Sequence, residues 1–411
     1  MMENKQNRRN FLKTLGAAGL GSVFAAGRSF AEPNTPDSNS PAAAEPKYPQ
    51  MPRRKLGKTG IEVPILSLGA MFDIVENQMI LRNTLQWGVN YWDTAYGYAG
   101  GNSEIGIGKF LAKKPEVRKD LFLVTKASGA KTVEDIEKHL KESLERMNTS
   151  YVDLYYGIHG CDEPAQLTNE LKDWAKSAKE RKLIKFFGFS THKNMAKCLT
   201  AAAKLDWIDA IMTSYNIRLM QEQDMQDGID ACHKAGIGLI AMKVQSGGQK
   251  IETEADQKLT RHFLDRGFTE GQAKIKAVID DTRIATACLQ MRTAAFLTEN
   301  AAAALDKSKL TARDMDVFKQ YAQATCSGYC AGCANICDAA LPDSPYVSEV
   351  MRSLMYYNSY GDQALARDLF AQIPADIRSR LTAIDYRVAE ASCPRHLPIA
   401  QLMSEAVTKL A

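Results

Sequence analysis

The chain has 411 residues, 45% of them apolar, 24% charged and 8% aromatic. That balance excludes whole-chain disorder, collagen and coiled coil, and the length suits two or three segments around a sizeable core. Lys plus Arg is 52 and Asp plus Glu 48, a net charge of +4, and the first 31 residues carry the excess: Lys5, Arg8, Arg9, Lys13 and Arg28 against Glu3. The remainder is neutral, so no electrostatic footprint for nucleic acid is expected. No apolar run of about 18 residues follows the N-terminus, so no mature membrane span is expected either.

Residues 1–31 have the order of a secretory signal. A basic stretch (NRRNFLK, 7–13) precedes a short apolar one, and the small residues Ser29 and Ala31 stand before a plausible cut. Arg8-Arg9 followed by Phe11-Leu12-Lys13 resembles the twin-arginine motif. That resemblance implies export of a folded protein by the twin-arginine translocase, to the periplasm or another extracytoplasmic space. Residues 32–50, rich in Pro, Ser and Ala, read as a linker.

From 51 to 310 strand and helix patterns alternate. Apolar, β-branched runs at 65–71, 89–95, 121–127, 152–160, 185–191, 210–215, 238–244 and 284–291 suit strands buried on both faces. Amphipathic helices lie between them. One, at 132–148, opens with the Thr132 and Asp135 capping pattern, and another ends at Gly236. Eight such units predict an α/β fold, a (β/α)8 TIM barrel, with a C-terminal, mostly helical, Cys-containing region over 311–411. The rival doubly wound sheet wants a Gly-rich turn after its first strand, and GAMFD supplies none.

Barrel chemistry sits where strands end. Asp93 ends the second strand, Tyr98 lies in its loop, Lys126 ends the third and His159 the fourth. These positions, with RRKLGKTGIEVPILSLGAM and WDTAYGYAGGNSEIGIGKFL around them, resemble the aldo-keto reductase family over roughly 52–310. The resemblance implies reduction of an aldehyde or ketone by a nicotinamide coenzyme, with Asp93, Tyr98, Lys126 and His159 as its four catalytic residues. The chemistry suits those residue types. A phenol is a poor acid at neutral pH, and a neighbouring ammonium is expected to lower its pKa. Tyr98 is then the proton donor, Asp93 holds Lys126, and His159 orients the carbonyl oxygen.

The coenzyme, NADP or NAD, has a partly altered site. By resemblance Ser190 holds the carboxamide, Tyr215 ends the sixth strand, and Met242 stands where an aromatic stacks on the ring. Glu299 and Asn300 match the adenosine-phosphate clamp. Its Arg position is Phe296, leaving Arg292 as a substitute. Met71, Phe72, Trp92 and Cys161 suggest a partly apolar substrate pocket with Cys161 at its edge.

Five of nine cysteines are organised: Cys326, Cys330, Cys333 and Cys337, then Cys393 in SCPRHLPI. An iron–sulfur cluster, disulfides and zinc all fit such spacing. Some aldo-keto reductases carry a ferredoxin-like tail, and this resemblance implies at most one 4Fe-4S cluster. Its ligands are then Cys330, Cys333, Cys337 and either Cys393 or Cys326, with a redox partner implied for it. The segment between Cys337 and Cys393 reads as helical, broken at Gly361, with Met355, Tyr356 and Tyr357 as core. The leading expectation is an exported carbonyl reductase. The alternative is a non-enzymatic redox or ligand-binding module on the same barrel.

Overall fold

The computed structural model describes residues 48–245, 253–342 and 345–411. The signal-like segment 1–31 and nearly all of the linker lie outside them. A two-stranded hairpin, β1 (Arg53–Lys55) and β2 (Glu62–Pro64), comes first. Eight parallel strands follow: β3 (Leu66–Gly69), β4 (Tyr91–Asp93), β5 (Phe122–Lys126), β6 (Val152–His159), β7 (Ile184–Thr191), β8 (Ala210–Ser214), β9 (Gly238–Met242) and β10 (Thr286–Gln290). They close as β3 to β10 in sequence order, β10 pairing back onto β3. Each predicted strand is present, seven of them shortened at one or both ends and β7 beginning one residue earlier than expected.

Alternation along the strands divides barrel interior from helical shell. Tyr91, Phe122, Val124, Leu154, Tyr156, Ala210, Met212, Ile240 and Cys288 fill the interior. Their neighbours point outward: the Tyr155 hydroxyl donates to the Ile136 carbonyl (3.1 Å) and Phe187 packs on Trp174. The shell helices begin where the sequence marks them. Thr132 and Asp135 form a reciprocal capping box on Val133–Arg146, and Gly236, at φ +73°, follows the helix Gln223–Lys234. Among the described residues no helix is long and apolar enough to cross a membrane.

The C-terminal residues pack onto the barrel, and Gln50–Ala411 is one compact unit. The helix Ala312–Ala324 buries Phe318 and Tyr321 against Leu259 and Phe263 of the shell. The helices Val347–Asn358, Gln363–Ala371 and Ile399–Leu410 share a second core through Met351, Leu354, Phe370 and Met403. Gly361, at φ +67°, makes the expected break. This subdomain covers the carboxyl-end loops of the barrel. Glu349 pairs with Lys193 at 2.8 Å, Asp362 with Arg292 at 2.8 Å, and Glu222 with Arg395 at 2.7 Å. Gly332 (φ +76°) lies so close to the β7 loop that a Cβ there would stand 2.3 Å from the His192 carbonyl oxygen, a position that requires glycine.

Candidate active site

The inward set of β4 ends on Asp93 and that of β5 on Lys126. Strict alternation would turn His159 outward, because Leu154 and Tyr156 already point in. A bulge between Tyr156 and Ile158 shifts the register by one, so that His159 pairs with Ser190 at the mouth. Gly157 makes the room: a Cβ there would lie 2.6 Å from the Phe187 ring.

The four side chains expected to act together do converge. The Lys126 ammonium is buried and donates to Asp93 Oδ1, to the Thr94 carbonyl (2.7 Å) and to the Tyr98 hydroxyl (3.3 Å). The Tyr98 and His159 rings meet edge to face, centroids 5.7 Å apart. The Tyr98 loop is held from behind. Arg146 donates to the Tyr96 carbonyl (2.9 Å) and pairs with buried Glu104, which accepts from Thr125 at 2.6 Å.

One expectation is corrected here. Burial, then the Asp93 carboxylate and Tyr356, hold the Tyr98 phenol well above its ordinary pKa. Lys126 does not reverse this, because Asp93 already neutralises it. Burial likewise raises Asp93, and Lys126 pulls it back. Tyr98 is therefore a neutral phenol, the form a proton donor requires.

Burial, and after it the charges of Lys126 and Arg352, lower His159 to about 3, so its ring is neutral. Its Nδ1 lies 2.7 Å from Ser128 Oγ, which itself accepts from the Gly97 N–H at 3.2 Å. A Ser128 hydroxyl that donates to Nδ1 places the ring proton on Nε2. A neutral Nε2–H beside a phenol O–H can grip one carbonyl oxygen from two sides. Ser128 was not foreseen in the sequence; its place two residues past Lys126 was the available signal.

The residues expected to hold a coenzyme divide into two groups. Ser190 Oγ is buried and has no hydrogen-bond partner among the described residues, which fits a carboxamide handle. Met242 ends β9 half-buried. Three others are committed elsewhere. The Tyr215 hydroxyl donates to Asp281 at 2.7 Å on the outer side of the barrel. Arg292 pairs with Asp362, and Glu299 accepts from Thr269 at 3.0 Å. Asn300 is buried in the helix Ala294–Leu305. The expected phosphate clamp is therefore not assembled, because the C-terminal subdomain and the helix Glu270–Asp280 use its side chains.

Two pocket residues are also corrected. Cys161 is fully buried against Cys198, sulfurs 4.0 Å apart, and does not edge the site. Trp92 faces the shell, its indole N–H donating to Thr84 Oγ1 at 3.0 Å. Beside His159 a cavity of about 800 Å³ separates barrel from subdomain, lined among others by His192, Lys243, Arg352 and Met355. Tyr356, expected as core, is buried but sets its hydroxyl 2.5 Å from Lys243 Nζ. Burial pushes that phenol up, but Lys243 and Arg352 outweigh it and leave the pKa lowered.

All nine cysteines are free thiols. Cys330, Cys333, Cys337 and Cys393 line one small apolar pocket with Ile336, Val347, Leu397 and Ile399; Cys326 is not part of that lining. Among the described residues no three His, Cys, Asp or Glu side chains are grouped to hold a metal ion. The four thiols expected as ligands are thus neighbours without forming an ion cage. Burial raises Cys330 and Cys337 to about 12, as suits packed neutral thiols.

Comparison with known proteins agrees with this geometry. Residues 67–307 match the model of the aldo/keto reductase family. An aldo-keto reductase of Alternaria alternata, AFTS1, is 24% identical over 253 residues, covering 50% of this chain and 68% of its own. The L-glyceraldehyde 3-phosphate reductase of Escherichia coli is 28% identical over 217 residues, 47% of this chain and 62% of its own. The chain thus spans about two thirds of these curated relatives. The holo structure of aldo-keto reductase AKR11C1 from Bacillus halodurans superposes with a TM-score of 0.55 at 21% identity, over 66% of this chain and 96% of that one. That likeness shows the fold.

Proposed function

The chain belongs to the aldo/keto reductase family, and from that premise we propose that it reduces an aldehyde or ketone with a nicotinamide coenzyme. The observation that carries this reading is the convergence of Asp93, Lys126, Tyr98 and His159 at one barrel mouth. Bound nicotinamide supplies the hydride, which no side chain can. Ser190 Oγ would hold its carboxamide, and Met242 would offer the ring a soft apolar surface. His159 Nε2–H and Tyr98 O–H orient and polarise the substrate carbonyl. Tyr98 then releases its proton to the alkoxide, and Lys126 steadies the phenolate that remains. Asp93 holds Lys126 in place. The choice between NAD and NADP does not rest on Arg292, which Asp362 already occupies.

The same reading extends to the cysteine pocket. Four thiols around one apolar space support a single 4Fe-4S cluster on Cys330, Cys333, Cys337 and Cys393. The twin-arginine-like segment supports export in the folded state. Outside the cytoplasm no coenzyme pool exists, so a tightly held nicotinamide would need re-reduction in place by a second, oxidisable substrate.

The test is nucleotide and iron content of the anaerobically purified exported form. The expected result is bound nicotinamide with about four irons per chain. A preparation that contains no nicotinamide and binds none overturns the reductase reading and favours the ligand-binding alternative. Nicotinamide without iron overturns the cluster alone.

A further inference from the structure

The cavity beside His159 is lined by four cations, Lys193, Lys243, Arg352 and Lys409. Two are neutralised. Lys193 meets Glu349 at 2.8 Å and Asp162 at 3.8 Å, and Lys409 meets Glu405 at 2.6 Å. Asp256, the remaining carboxylate of the lining, accepts from Thr253 (2.6 Å) and Tyr321 (2.9 Å). The other two cations meet no carboxylate among the described residues. The Lys243 ammonium reaches the Tyr356 hydroxyl at 2.5 Å and lies 4.2 Å from that ring's centroid. Among the described residues Arg352 Nε is buried with no hydrogen-bond partner, and so is His192 Nδ1. A buried guanidinium Nε left unpaired, beside two cations in no ion pair, describes a place built for an anion.

Resting on the reductase reading above, we infer that Arg352, Lys243 and His192 form a subsite for an anionic substituent, a carboxylate or phosphate monoester, on the carbonyl substrate. The location favours the substrate over the coenzyme's diphosphate. Arg352 is near enough to His159 to help depress its pKa, and His159 faces the reacting oxygen. The cation toward the β10 end, Arg292, is already paired with Asp362. Arg352 belongs to the helix Val347–Asn358, whereas Lys243 and His192 belong to barrel loops. Docking of the C-terminal subdomain therefore completes the subsite and gives the barrel a preference it would lack alone.

Calorimetric titration of the exported form with inorganic phosphate, malonate and neutral malonamide tests this. Phosphate and malonate should bind and malonamide should not. Arg352→Gln should weaken both anions about 10- to 100-fold, and Arg352→Lys should recover part of the loss. Saturating NADPH should leave phosphate bound. Wild-type affinity for phosphate in Arg352→Gln overturns the subsite. Displacement of phosphate by NADPH also overturns it, assigning the cations to the coenzyme. Failure of NADPH and NADH to bind at all would instead overturn the reductase reading, a result separate from the phosphate titration.

Discussion

Ser128→Ala isolates the positioning of His159 from the proton-transfer chemistry. The substitution removes the 2.7 Å contact to His159 Nδ1 and the acceptor for the Gly97 N–H. His159 stays neutral, since burial rather than Ser128 sets its low pKa. At the ring, what is lost is one hydrogen bond between neutral groups, about 0.5–1.5 kcal/mol. If that bond only orients the ring, kcat/KM falls about 2- to 12-fold, far less than on loss of a proton donor. Steady-state kinetics on any carbonyl compound the enzyme turns over gives the fold-change. Imidazole nitrogen NMR gives the tautomer, which should be Nε2–H in the wild type and mixed in the variant. An Nδ1–H tautomer in the wild type would falsify the assignment. So would unchanged kinetics and an unchanged tautomer in the variant.

Two further outcomes follow from the same geometry. Gly157→Ala places a methyl 2.6 Å from Phe187 at the bulge; it should cost about 1–3 kcal/mol in denaturant unfolding and displace His159. Wild-type stability and activity together would show that the bulge does not aim the ring. Stability should also depend on pH through His159. The folded ring binds a proton only near pH 3, the unfolded one near 6.5, so stability falls as pH drops through that window. The limiting slope is about 1.4 kcal/mol per pH unit for one proton. His159→Asn should remove that share of the slope, and equal slopes in the two proteins would refute the buried neutral ring.

The eight strands were legible because strands buried on both faces write continuous apolar runs. The catalytic set was legible because strand ends carry it. Parity was not. Whether His159 faces the mouth depends on the bulge at Gly157, and a single extra residue leaves only a glycine as its trace. The subdomain was legible as helices with a break at Gly361, but not as a roof. Its contacts join residues more than a hundred positions apart, such as Lys243 with Tyr356, and no local pattern encodes them. For the same reason Arg292 and Tyr215 read as free for a coenzyme. Their partners, Asp362 and Asp281, are set by tertiary packing. Cys161 and Trp92 were misplaced because nearness in sequence to the site does not decide which face a side chain takes.

The central claim is that Tyr98 gives the proton in a nicotinamide-dependent carbonyl reduction. Turnover and coenzyme affinity of Tyr98→Phe against the wild type test it most directly. Turnover should fall about 10²- to 10⁴-fold with coenzyme affinity unchanged, since the hydroxyl contacts Lys126 rather than the Ser190 handle. Wild-type turnover in the variant would contradict it.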